Sequence, residues 1–407
     1  MRKIIFTLLI WVAVFNAEAQ NSPGLVNKYM IDGDNAAKSD FPGAIDHYTK
    51  AINIDPSKAE VYMKRARLYT IMGRYAEAQA DYNMALKLNP QTIMLYDERA
   101  KIKSLANDYK SALSDLDIAL SASPYNEVLL QHRSDIYLEQ QNFEAAINDL
   151  RITLESNPEN NVTKVKMALV FLDMNSVDSA MYYINQILEQ QPRSYIANDV
   201  KGLILLKSNN PEVAIKYFSK SIEINNKFAV GYLNRAVAHK KLNNTQAYQK
   251  DIETAIKIEQ ELYQAYLLKG NEANENNRYY DAVAYFSASL ENNNISEAYF
   301  GRGYAKKFLG DYAAAINDFN SAINLNIKDA RAYLGRGNVY MIFGNYQQAL
   351  EDYNVAIALN PDYAEAYFNR GLAKIFRYYK AEGCEDLKNA LRLGYNESNE
   401  KLKFFCE

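Results

Sequence analysis

A pattern that recurs every 34 residues constrains the fold of this 407-residue chain more than any other feature of its sequence. Each copy carries an aromatic and a small residue, a turn with Gly or Asn, and a second group of small and aromatic residues. In one copy these positions are Tyr333, Gly337, Tyr346 and Ala349. Because a unit of this size cannot bury an apolar face alone, the pattern predicts a continuous repeat array.

Each copy is predicted to form two helices, because its apolar residues recur at the i, i+3, i+4 and i+7 spacing of an amphipathic helix. Small residues in both helices, such as Ala66 and Ala78, allow the pair to approach closely. A proline ends the second helix in many copies, because proline cannot donate the next backbone hydrogen bond. Six of the nine prolines have this phase, namely Pro56, Pro90, Pro124, Pro158, Pro192 and Pro361.

The period and the ordered small and aromatic positions resemble the tetratricopeptide-repeat (TPR) family. The resemblance implies an all-α fold, a right-handed superhelical solenoid of about eleven repeats followed by a C-terminal capping helix. All repeats have 34 residues except the eighth, which has 33. They are predicted over residues 25–58, 59–92, 93–126, 127–160, 161–194, 195–228, 229–262, 263–295, 296–329, 330–363 and 364–397.

The ends of the array are predicted separately. Residues 20–24 are assigned to a short linker, and residues 398–407 to a cap that covers the open apolar end of the solenoid. Some repeats depart from the pattern, with Tyr248 and Gly383 where a small Ala is expected and Gly33 one place late. We expect local irregularities there.

The first nineteen residues have the pattern of a secretory signal peptide. Arg2 and Lys3 form a basic start, residues 4–15 are apolar, and Ala17 and Ala19 occupy the two small positions of a cleavage site. Cleavage would leave Gln20 as the first residue. The alternative is a membrane anchor, but the apolar run is about half of the roughly 20 residues that span a bilayer. We therefore expect export, to the periplasm or the exterior.

Charge and motifs exclude several classes of function. The net charge of −3 offers no basic face for nucleic acid. The histidines, His47, His132 and His239, lie in separate repeats, so no metal site or histidine-based catalysis is predicted. No zincin, Walker-A or nucleophile-elbow motif occurs. The chain is predicted to be a non-enzyme without cofactors.

A charge rule links the two helices of a repeat. The seven repeats with Arg at the seventh position also have Asp at the twenty-third, and the other four have neither. This covariation within the chain predicts an Arg–Asp ion pair inside each of these seven repeats, with a ladder for charged ligands as the alternative. The pairs are Arg65 with Asp81, Arg99 with Asp115, Arg133 with Asp149, Arg235 with Asp251, Arg302 with Asp318, Arg336 with Asp352, and Arg370 with Asp386.

The two cysteines, Cys384 and Cys406, lie in the last repeat and in the predicted cap. In an oxidising compartment they could form a disulfide that holds the cap. The alternative is two free thiols packed as small apolar groups.

The resemblance implies that the first helices line a concave groove with their second, fifth, ninth, twelfth and thirteenth positions. In the last three repeats these positions are unusually apolar and predict a groove for a peptide with apolar anchors. Packing on adjacent helices or under the cap is the alternative. The predicted groove residues are Phe300, Tyr304, Phe308, Leu334, Met341, Ile342, Phe368, Leu372 and Phe376.

The carboxylate clamp of chaperone-binding family members is only partly matched. Asn338 and Asn369 fall at matching positions, but the lysines of the clamp are absent. Binding of chaperone tails is therefore not predicted.

Taken together, these features predict a non-enzymatic scaffold that binds a protein or peptide in the cell envelope or outside the cell. A carbohydrate- or cell-wall-binding accessory protein is the alternative, and self-association through an open end of the array is a further possibility. The partner is not identified by the sequence.

Overall fold

A computed structural model describes residues 23–291 and 293–407 of the chain. All regular elements in these residues are α-helices, which confirms the predicted all-α repeat fold. The helices form two compact units, which divide after Pro192. The predicted signal peptide, residues 1–19, lies outside the described residues.

Unit 1 comprises the described residues up to Pro192 and contains ten helices. Residues 23 and 24, which the sequence pattern assigned to a linker, belong to the first of them. The helices are α1 (23–36), α2 (Phe41–Ile54), α3 (Ala59–Ile71), α4 (Tyr75–Leu88), α5 (Ile93–Leu105), α6 (Tyr109–Ala122), α7 (Glu127–Glu139), α8 (Phe143–Ser156), α9 (Asn161–Asp173) and α10 (Val177–Gln190).

Unit 2 runs from Arg193 to Glu407. Its described helices are α11 (Tyr195–Lys207), α12 (Pro211–Ile224), α13 (Ala229–Lys241), α14 (Thr245–Ile258), α15 (Tyr263–Glu275), α16 (Tyr279–Leu290), α17 (Ser296–Phe308), α18 (Tyr312–Leu325), α19 (Ala330–Ile342), α20 (Tyr346–Leu359), α21 (Ala364–Phe376), α22 (Lys380–Arg392) and α23 (Ser398–Phe405).

Close packing between the two helices of a repeat explains the small residue in the first helix. Gly202 on α11 faces the ring of Phe218 on α12, and that ring is fully buried. A Cβ atom at Gly202 would lie 2.5 Å from the ring, a distance that forces something to shift. The small residue therefore sets how closely the two helices pack.

The turn between the two helices needs a left-handed backbone at the fifteenth position of the repeat. Gly73 and Gly344 have φ of 71° there, and Asn107 has 60°. Gly and Asn adopt this region at little steric cost, which explains their recurrence. Gln141 and Tyr378 are exceptions, with φ of 58° and 67°.

Two departures from the pattern are accommodated differently. Tyr248 is 2% exposed, and its hydroxyl donates to the carbonyl of Leu268 on α15 at 3.3 Å. The larger side chain thus contacts the next repeat. In the last repeat, Gly383 packs against the backbone of Gly371, where a Cβ atom would lie 2.7 Å from the carbonyl oxygen.

Each of the seven repeats that carry both Arg and Asp contains a bidentate ion pair between them. Nε and Nη2 of the arginine donate to the two carboxylate oxygens of the aspartate in the same repeat, at 2.6–2.9 Å. All seven aspartates are buried. The planar guanidinium matches the carboxylate, so the pair fixes both the register and the orientation of the two helices.

The same arginines also reach the preceding repeat, a contact that the sequence analysis did not predict. Nη1 donates at 2.6–3.2 Å to a side-chain oxygen on the preceding second helix. Each guanidinium therefore joins three helices. The acceptors are Thr49, Asn83, Asp117, Ser219, Ser287, Asn320 and Asn354.

Two repeats without the pair use a cation–π contact at the same two positions. Nζ of Lys201 lies 5.0 Å from the ring centroid of Tyr217, and Nζ of Lys269 lies 5.0 Å from that of Tyr285. The contact still joins the first helix to the second, but without the directional fork of arginine.

The C-terminal helix α23 covers the last repeat. Leu402 packs with Phe368 and Leu387 in one buried cluster. A disulfide joins Cys384 on α22 to Cys406, with Cα atoms 5.9 Å apart. The bond ties the cap to the second helix of the last repeat.

We predict that Arg336→Met lowers the free energy of unfolding by about 3–5 kcal/mol, because it leaves the buried carboxylate of Asp352 unpaired. The double variant Arg336→Met/Asp352→Leu should lose less, because no buried charge remains. Denaturant unfolding measures both. As a control, Lys240→Met should cost at most about 1 kcal/mol, because Lys240 and Glu275 are 40% and 58% exposed. A single variant no less stable than the double one would contradict the structural role of the pair.

Candidate functional site

The first helices of the last three repeats, α17, α19 and α21, line a pocket in unit 2 that we call the inner pocket. Its volume is about 460 Å³, within the range of ligand sites. Three of the predicted groove residues lie in its wall, together with polar groups from five helices. The lining residues are Lys307, Phe308, Tyr312, Asn338, Met341, Ile342, Tyr353, Glu365 and Asn369.

The floor of the inner pocket is a hydrogen-bond network centred on Asn338. Its Oδ1 accepts from the hydroxyl of Tyr353 at 2.8 Å and from Nδ2 of Asn369 at 2.9 Å. Its Nδ2 donates to Glu365 at 3.5 Å, a long contact. Tyr353 is fully buried, and burial raises its pKa, so its hydroxyl stays a donor. The network orients Asn338 so that its amide group and the oxygen of Asn369 remain able to bind a ligand.

Lys307 supplies the cation of the inner pocket. Its Nζ lies 4.9 Å from the ring centroid of Tyr304 and 4.5 Å from that of Phe308. Burial lowers the pKa of Lys307, and the negative charge of Glu365 offsets this in part. Lys307 makes no ion pair within 4 Å in the part of the chain that the structure describes, so its ammonium group lacks a strong acceptor.

The rim of the inner pocket is apolar. Phe308 is 49% exposed and stacks at 4.7 Å on Tyr279 of an earlier repeat. Ile342 is 53% exposed, and Met341 beside it is half-buried. These side chains can bury an apolar group of a ligand next to the polar floor.

Two predicted groove residues do not face the pocket. Leu334 is 4% exposed and packs with Ala349 and Tyr353 of its own repeat. Phe368 is 7% exposed and packs with Leu387 and Tyr395 beneath the cap. Their assignment to a binding surface is corrected, because the fifth position of these repeats points at the second helix.

The other predicted groove residues do not line the pocket. Tyr304 contacts Phe308. Phe300 packs on Phe319, and Leu372 packs on the buried cluster under the cap. Phe376 is 44% exposed and contacts the cap through Phe405.

The polar residues of the inner pocket were not among the predicted groove residues, although Asn338 and Asn369 match positions of the carboxylate clamp. Asn338, Lys307 and Glu365 occupy the ninth, twelfth and second positions that the family resemblance assigns to the groove. The assignment of these positions to the groove was therefore a signal in the sequence for Lys307 and Glu365. The contribution of Tyr353 from the second helix carried no such signal.

Over residues 23–291 and 293–407, no group of three or more His, Cys, Asp or Glu side chains is placed to hold a metal ion. Within the same residues, no helix combines the length and the apolar character that crossing a bilayer requires.

Comparison with known sequences finds TPR motifs at four places in the chain. One family model described as tetratricopeptide repeat matches residues 59–92. A second model with the same description matches residues 197–228 and 296–327. A third, described as TPR repeat, matches residues 337–374, which include the C-terminal part of α19, all of α20 and most of α21.

The fold is similar to several solved repeat structures. A chain of the APC/C hetero-tetramer Cut9-Hcn1 aligns with a TM-score of 0.57 at 15% identity, over 94% of this chain and 96% of that one. A tetratricopeptide repeat protein from Parabacteroides merdae gives 0.48 at 18% identity, over 70% and 98%. Yeast Tom70 gives 0.43 at 17% identity, over 93% of both chains. At these identities the likeness concerns the fold alone.

Proposed function

Because the chain belongs to the tetratricopeptide-repeat family, we propose that it is a non-enzymatic scaffold that binds a segment of another protein in the inner pocket. The observation that carries the proposal is Lys307, a partly desolvated cation without a carboxylate within 4 Å in the described residues. Such a group costs stability unless an acceptor reaches it. A bound segment can provide that acceptor.

The chemistry of the inner pocket fits a peptide better than a purely apolar ligand. A peptide carbonyl can accept from Lys307 or from the amide of Asn338, and a peptide N–H can donate to Asn369. An apolar side chain of the same segment would bury surface on Phe308 and Ile342. Contacts of both kinds on neighbouring helices are typical of peptide recognition in grooves.

A similar fold serves protein assembly elsewhere. The Cut9-Hcn1 structure is a hetero-tetramer, so a chain of this architecture takes part in a protein complex. The likeness supports protein binding as a class of function and does not identify a partner.

We also propose that the chain is exported. The support is the sequence of residues 1–19, with its basic start, apolar run and small residues at the cleavage site. In the native host, N-terminal sequencing of the protein from extracytoplasmic fractions should begin at Gln20. An intact Met1 in a cytoplasmic fraction would contradict export.

Binding in the inner pocket predicts a selective loss of partner capture. The variant Phe308→Ser/Ile342→Ser removes the exposed apolar rim and should lose proteins that the wild-type chain retains from host fractions. The matched control is Leu325→Ser/Ile327→Ser, because these side chains are 48% and 67% exposed and lie outside the pocket. Mass spectrometry of the retained proteins measures the difference, after circular dichroism has shown that all three chains are folded.

Retention by the wild-type and control chains but not by the rim variant is the expected result. Equal retention by all three would place binding elsewhere. Retention of envelope polysaccharide without any protein would favour the alternative, a carbohydrate-binding accessory protein.

A further inference from the structure

A second cavity lies in unit 1, among α3, α5, α6 and α7, and we call it the unit 1 cavity. Its volume is about 430 Å³. Its floor is apolar and buried, formed by Ala100, Leu116 and Ile136, which are 1%, 0% and 5% exposed. Leu105, which is 57% exposed, forms one wall. The cavity can therefore receive an apolar side chain of moderate size.

Most of the charges around the unit 1 cavity are already paired. Burial would raise the pKa of Asp97, but hydrogen bonds with His132 and Lys101 hold it below its usual value. The distances are 2.5 Å from Oδ1 of Asp97 to Nδ1 of His132 and 2.9 Å from Oδ2 to Nζ of Lys101. Asp135 accepts from Lys166 at 2.7 and 2.9 Å. These groups leave little free charge for a ligand.

Glu139 is the exception among the charged residues at the rim. It is the last residue of α7, is exposed, and lines the cavity. In the part of the chain that the structure describes, its carboxylate makes no ion pair. The rim therefore has an uncompensated negative charge beside an apolar floor, a combination that attracts a cation and repels an anion.

We propose that the unit 1 cavity binds an apolar side chain that is flanked by lysine or arginine in an extended segment of a partner protein. The apolar side chain occupies the floor over Leu116 and Ile136, and the cation pairs with Glu139. The site is separate from the inner pocket, and it shares with the proposed function only the class of partner. An acidic segment is disfavoured because its carboxylates would meet the unpaired carboxylate of Glu139.

Three synthetic peptides, acetylated and amidated, test the proposal by saturation-transfer NMR titration of the purified chain. Their sequences are Ser-Lys-Leu-Lys-Ser, Ser-Glu-Leu-Glu-Ser and Ser-Lys-Ser-Lys-Ser. We expect the first to bind at least about tenfold more tightly than the other two, because the others lack the cation or the apolar anchor. Equal binding of the three, or no binding of the first at millimolar concentration, overturns the proposal.

Variants with matched controls locate the site. Glu139→Lys should weaken binding of Ser-Lys-Leu-Lys-Ser, the lysine–leucine peptide, about tenfold. Leu105→Ser should weaken it about fivefold. Asp173→Lys and Ile71→Ser change the same position in neighbouring repeats, outside the cavity, and should leave binding unchanged. Glu139 and Leu105 are both exposed, so their substitution should not disturb the fold. Circular dichroism of each variant checks this. Equal loss in the targets and the controls overturns the proposal.

A further variant separates this site from the inner pocket. Ile342→Ser should leave binding of Ser-Lys-Leu-Lys-Ser unchanged, because Ile342 lines the inner pocket and does not line the unit 1 cavity. Loss of that peptide in Ile342→Ser, with retention in Glu139→Lys, would assign the peptide to the inner pocket and overturn the unit 1 site. Failure of protein capture at the inner pocket alone would leave the unit 1 result unaffected.

Discussion

The bidentate pair between Arg and Asp is the interaction on which the packing of seven repeats depends. Hydrophobic contacts hold the two helices of a repeat together but allow them to slide or rotate, because such contacts have no direction. The guanidinium fork has a direction, and its third nitrogen also binds the preceding second helix. A buried pair contributes little net stability over an apolar replacement, so its main effect is to select one register within a repeat and between neighbours.

One face of the first helices takes no part in this packing between helices. Positions seven and eight are used inside the array, by the arginine and by the small residue that packs on a buried ring. In the last three repeats, positions nine, twelve and thirteen instead carry Asn338, Lys307, Met341 and Ile342 into the inner pocket. The adjacent residues Lys306 and Lys307 differ in this respect. Lys306 pairs with Asp318 at 2.8 Å, whereas Lys307 faces the pocket.

The sequence predicted the all-α repeat fold because every copy repeats the same local requirements of helix periodicity, small contact residues and a Gly or Asn turn. The binding surface was less accessible to sequence reasoning. Leu334 and Phe368 have groove positions and apolar side chains, yet they are buried, because in their two repeats the fifth position packs on the second helix. The link from each arginine to the preceding repeat was missed because its acceptor varies between Thr, Asn, Asp and Ser. Because several residue types can accept this hydrogen bond, the acceptor position shows no pattern within one sequence.

We propose that one set of positions on the first helices holds the array together and that another set binds a ligand. Adjacent residues of α17 test it most directly, by denaturant unfolding of Lys306→Met and Lys307→Met at neutral pH. Lys306→Met should lower the free energy of unfolding by about 1–2 kcal/mol, because it removes a charged hydrogen bond to Asp318. Burial lowers the pKa of Lys307, so below that pKa the charged ammonium group destabilises the folded state. Lys307→Met removes this charge and should leave the free energy of unfolding unchanged or raise it. A loss of stability in Lys307→Met equal to that in Lys306→Met would contradict the claim.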